Sequence, residues 1–80
     1  MSYFKSDIQD AFVRGIEKGA RYMIIWCDSF DHEDYPSYYN DLESAIYAKE
    51  HPGNMQRYME SYDLSADMEI QLNKTRAYAF

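Results

Sequence analysis

The stretch RYMIIWCDSF, residues 21–30, decides how the rest of the chain must be arranged. In an extended strand Tyr22, Ile24 and Trp26 point to one side, and Met23, Ile25 and Cys27 to the other. Both sets are apolar, so this strand has no face to give to water. That is the pattern of a central strand covered on both sides.

Its neighbours can be found on either flank. DYPSYYN, residues 34–40, reads as a second strand, and Pro36 limits it to an edge or a strand start because proline donates nothing to a ladder. The polar residues from Ser29 to Asp34 then connect the two as a hairpin. MQRYMESYDL, residues 55–64, reads as a third strand, with Tyr58, Glu60 and Tyr62 on one face and Met59 and Ser61 on the other.

Helices must supply the covering layers. Residues 6–18 place Ile8, Ala11, Phe12 and Ile16 on one stripe, with Val13 at its edge. Ser6 with Gln9 fits a capping box, Asp7 suits the first turn, and Gly19 is a natural stop. Gly15 inside the helix costs about 1 kcal/mol against alanine, which points to another backbone approaching closely there. Asn40 with Glu43 caps a second helix over residues 41–50, whose stripe of Leu42, Ala45, Ile46 and Lys49 is short. His51-Pro52-Gly53-Asn54 has the chemistry of a type II turn. The last segment carries two patterns. MEIQL alternates like a strand, yet Ser65 is a good N-cap, Asp67 suits a first turn, and Met68, Leu72 and Thr75 share a helical stripe. A third helix is preferred; a hairpin turning at Asn73-Lys74 is the alternative.

The resulting order, α-β-β-α-β-α, predicts a single α+β domain over residues 1–80: a small, at least partly antiparallel three-stranded sheet with about three helices on one face or flanking it. Eighty residues leave no room for a second core. One cysteine, Cys27, excludes an internal disulfide and suits a reducing cytoplasm. No charged start leads into an apolar run, so a signal peptide is not expected, and YMIIWC is far too short to cross a bilayer.

The net charge of −6 is concentrated. From Tyr22 to Ala48 there are six acids (Asp28, Asp31, Glu33, Asp34, Asp41 and Glu43) and no lysine or arginine, while acids and basic residues balance elsewhere. A localised field of this sign argues against binding nucleic acid through its phosphates and against anionic membranes. The segment CDSFDHED is a poor calcium loop, lacking the glycine and the ligand spacing, and His32 alone makes a weak transition-metal site. A catalytic carboxylate pair needs a cleft and fixed geometry, which a small domain with loop acids does not offer. Cys27 beside His32 or His51 has the parts of a nucleophile, but free cysteines are mostly buried, and Asp28 next to it raises its pKa. Arg57 and Arg76 are too scattered, and Gly15, Gly19 and Gly53 too dispersed, for a phosphate loop. No catalytic residue, metal or cofactor is expected. Nine tyrosines are many for this length, and tyrosine combines large contact area with a polar tip.

The segments GARYMIIWCDSFDHEDYPSYY (19–39) and MQRYMESYDLSADMEIQL (55–72) resemble a group of small acidic proteins encoded by tailed bacteriophages. The matching features are Gly19 ending the first helix, a strand ending Cys27-Asp28, an acidic loop closing in Asp34-Tyr35-Pro36, the run Met59 to Ser65, and Gln71-Leu72. The resemblance implies a helix in the last segment and expression in the cytoplasm of an infected bacterium. There, small acidic phage proteins bind and inhibit host or defence proteins, basic nucleic-acid-binding proteins among them. No catalytic residue carries over. The expectation is a non-enzymatic binding protein whose contact surface is Asp28, Asp31, Glu33, Asp34, Tyr35 and Tyr38. The alternatives are a protein that binds a small nucleotide signal, a purely structural phage protein, and a merely solvated hairpin loop. An unpaired edge strand also leaves a homodimer open.

Overall fold

The computed structural model describes residues 5–80. The elements run α1 (Lys5–Glu17), β1 (Tyr22–Asp28), β2 (Asp34–Tyr39), α2 (Leu42–Glu50), β3 (Gln56–Asp63) and α3 (Met68–Leu72). The strands form one antiparallel sheet in the order β2-β1-β3, with the doubly apolar strand at its centre. Helices flank the sheet. Met23 and Ile25 pack with Ile8, Ala11 and Phe12 of α1, with Tyr62 and Leu64, and with Met68 and Leu72 of α3. On the other face Ile24 and Trp26 are almost wholly buried, with α2 packed on β1 and β2 and Tyr58 edge-on to Trp26.

The buried stripe of α1 is Ile8, Ala11, Phe12 and Gly15, and Ile16, expected inside, is 50% exposed. The cause is Gly15. A Cβ there would lie 2.6 Å from Leu64 Cδ1 and 2.6 Å from Tyr38 Cε1, so side chains from β2 and the end of β3 fill the place of a helix side chain. Gly19 stops α1 as expected, at φ 80°, with the Gly19 and Ala20 amides donating back to Ile16 and Gly15. Ser6 lies within α1 and not ahead of it, so the cap position falls outside the described residues.

Caps elsewhere differ by a residue or two from expectation. Asp41, not Asn40, caps α2 by accepting from the Ser44 amide at 2.7 Å. Asp67, not Ser65, caps α3, while Ser65 is held in a turn by the Asp63 carboxylate. Gly53 takes no positive φ, and the left-handed residue before β3 is Met55, at φ 64°.

β3 breaks its own alternation. Ile25 pairs with Glu60 but Trp26 pairs with Tyr58, so Met59 is an extra residue in a bulge. Tyr58 therefore joins the Trp26 face, where its hydroxyl donates to Ser61 Oγ, while Glu60, Tyr62 and Met59 lie on the α1 side. After α3 the chain returns to the outer edge of β3. Ser61 donates to the Ala77 carbonyl and accepts from the Ala79 amide, and Tyr78 forms a parallel bridge. The third helix preferred from the sequence is therefore present, ending at Leu72, and the chain beyond it adds strand-like pairing to β3 without turning back as a hairpin.

Candidate interaction site at the hairpin end

The connection from β1 to β2 is built by its own acids. Asp28 Oδ1 accepts from the Phe30 amide at 2.8 Å, and the Asp28 carbonyl accepts from the His32 amide at 2.7 Å. Asp31 Oδ1 accepts from the Glu33 amide at 3.0 Å. These bonds let His32 sit at φ 59°, a left-handed position rare for a residue with a Cβ. A second connection is tied in where Ser29 donates its amide to the Met55 carbonyl at 2.8 Å. One end of the molecule therefore consists of the β1–β2 loop and the residues just before β3.

The six residues singled out in the sequence divide. Asp28, Asp31, Glu33 and Asp34 gather at this end, with Tyr35 at the base of the hairpin, where its hydroxyl accepts from Gln56 Nε2 at 3.0 Å. Tyr38 does not join them. Three residues further along β2 it faces the opposite side of the sheet from Tyr35. Its hydroxyl donates to the Ala11 carbonyl at 2.6 Å and Lys18 Nζ lies 5.0 Å from its ring centre, so its body and its tip both hold α1. Asp41 and Glu43 are also apart. β2 carries the chain about 17 Å from Asp34 to Tyr39, and Asp41 is then occupied by Ser44 at the start of α2.

Sequence reasoning missed Phe30 and Met55. Phe30 is 77% exposed at the tip and Met55 is 47% exposed just before β3. A signal for Phe30 was present: it stands among loop acids, past the last residue of a strand that could bury it.

Cys27 is half-buried, opposite Asp34 on one side and Arg57 on the other. Burial pushes its thiol pKa up, the Asp34 carboxylate adds to this, and Arg57 opposes it. The acid acting on the thiol is the cross-strand Asp34, not the adjacent Asp28. A thiol held protonated is a weak nucleophile. Among the described residues, no three His, Cys, Asp or Glu side chains converge as a metal site would require. No helix among them is long and apolar enough to cross a membrane. Among the described residues, one shallow groove lies between α1 and α3 beside Lys5 and Leu72, and another beside α2 between Tyr39 and Tyr47. Neither is lined by Arg57 or Arg76.

Fold and site together define a small α+β domain that presents an acidic hairpin end. Neither a protein-family model, nor a curated protein, nor a solved structure matches this chain.

Proposed function

We propose that this is a non-enzymatic accessory protein of a tailed bacteriophage, acting in the host cytoplasm by binding and inhibiting a basic host or defence protein. The observation that carries the reading is the gathering of Asp28, Asp31, Glu33 and Asp34 at one end of a hairpin whose turn is hydrogen-bonded from within. A preorganised acidic surface steers a positively charged partner and loses little entropy on docking. Tyr35, half-buried at the hairpin's base, extends that surface. Tyr38 belongs to the scaffold.

The β2 edge is the route by which two copies could pair. Pro36 lies opposite Ile25, a pair that is not hydrogen-bonded in this register, so it removes a donor from the middle of that outer edge. The reading therefore puts the hairpin end, and not this edge, at the contact.

Charge reversal at Asp31, Glu33 and Asp34 tests it. The triple lysine variant should keep its circular dichroism spectrum and lose capture of the partner. Native capture should weaken steeply between low and high salt. Capture that ignores both salt and charge reversal contradicts the reading.

A further inference from the structure

The structure points to more than a charged surface, because the acidic end also carries an apolar prominence. Phe30, at 77%, is the most exposed of the large apolar side chains among the described residues. It stands at the tip of the hairpin, not on a helix face. Met55 is 47% exposed, and the amide of Ser29, the residue before Phe30, bonds to the Met55 carbonyl, so the two residues stand on backbones that are joined. Among the described residues, the other exposed large apolar side chains are Val13 and Ile16 together on α1, Leu42 and Tyr47 together on α2, Ile70 on α3 and Tyr78 near the C-terminus, none of them at the acidic hairpin end.

Both parts of the tip are held. The Phe30 amide is fixed by the Asp28 carboxylate and the His32 amide by the Asp28 carbonyl. An aromatic side chain on a rigid turn is suited to be the buried anchor of an interface, since little freedom remains to be lost on docking. Its surroundings select the partner. Asp28, Asp31, Glu33 and Asp34 lie at the same end as Phe30, with Arg57 across from Cys27, so the four acids leave this end net negative; a socket lined with acids would repel it, and so would an anionic lipid surface. A socket rimmed by lysine and arginine would pair with those acids while its apolar floor takes the phenyl group.

We propose that Phe30, supported by Met55, is the anchor of this surface, and that it inserts into an apolar socket rimmed by lysine and arginine on a partner protein. This rests on the acidic-surface reading above and adds the anchor to it.

The test uses a library of concave repeat proteins, randomised over their inner surface and selected on the full-length folded protein. The expected winners carry lysine and arginine around an apolar centre. They should bind Phe30→Ala at least about tenfold more weakly and Met55→Ala measurably more weakly, and the triple Asp31, Glu33 and Asp34 reversal should abolish binding. Phe30→Ala should leave the melting temperature unchanged, because the side chain is outside the core. Basic winners that lose the triple variant but bind Phe30→Ala as tightly as native overturn the anchor and leave the acidic surface standing. Winners without basic enrichment, or directed at Ile70 or Tyr78 instead, overturn both.

Discussion

Gly15 has no side chain, and its place is taken by the ring of Tyr38 and the end of Leu64. Gly15→Ala would gain about 1 kcal/mol of helix propensity but force a methyl group to 2.6 Å from two packed side chains. The Tyr38 ring cannot yield easily, since its hydroxyl is bonded to Ala11 of the same helix. Overpacking of this kind costs about 1–3 kcal/mol, so net destabilisation is expected in urea unfolding. Tyr62 is fully buried, and its hydroxyl donates to Glu60 Oε1 at 2.5 Å. Burial, with the Glu60 carboxylate adding to it, raises the phenol pKa far above its ordinary value. A raised folded-state pKa contributes stability that is fully present below the unfolded value near 10 and is lost as pH rises beyond it, by about 1.4 kcal/mol per pH unit per group. Tyr58 is raised too, mainly by burial, and acts in the same window. Stability measured above pH 10 should therefore fall steeply, and Tyr62→Phe should flatten that slope without removing it. That something comes close to Gly15 was legible in the sequence, because a glycine inside a strong helix invites it, but the expected neighbour was a backbone and the actual ones are side chains. That Tyr38 would be the residue approaching was not, because a tyrosine in an edge strand reads equally as scaffold or as contact.

α3 is only five residues long, too short to hold itself. Its buried Gln71 anchors it. Oε1 accepts from the Asp63 amide at 2.8 Å, and Nε2 donates to the carbonyls of Asp63 at 2.9 Å and Asp67 at 3.1 Å. The side-chain amide thus pairs with β3 as a neighbouring strand's backbone would. Gln71→Ala leaves these groups without their partners and should cost about 2 kcal/mol, read as a lower urea midpoint. Further along the same edge, Ser61 holds the returning chain through its backbone and through Oγ, which accepts from the Phe80 amide at 3.3 Å. Ala77 reaches the core, and Phe80 packs edge-on against Tyr22. Removing residues 77–80 should both destabilise the domain and free the β3 edge, visible as concentration-dependent association in light scattering. The central strand could be read directly, since apolar residues on both sides of one strand admit few arrangements. The bulge at Met59 could not, because one extra residue reverses every later side chain without leaving a mark in composition. MEIQL was ambiguous for a similar reason: five residues sample too few positions to separate a period of 2 from one of 3.6.

At the scale of the molecule, the concentration of charge was visible in the sequence and its division was not. Six acids in the middle of the chain read as one cluster, but β2 carries Asp41 and Glu43 away from the hairpin to the start of α2. Four remain at the tip, where two of them also make the turn. Asp31→Asn keeps an acceptor for the Glu33 amide while removing a charge, so it should preserve the fold and weaken partner binding several-fold at low salt, with the difference shrinking as salt rises. Isothermal titration at two ionic strengths reads this. The most direct measurement is a quantitative pull-down from infected cells with two baits, the native protein and its Asp31, Glu33 and Asp34 lysine variant, both verified as folded. The expected result is a basic protein enriched on the native bait and reduced at least about tenfold on the variant. The same proteins recovered equally on both baits would contradict the account.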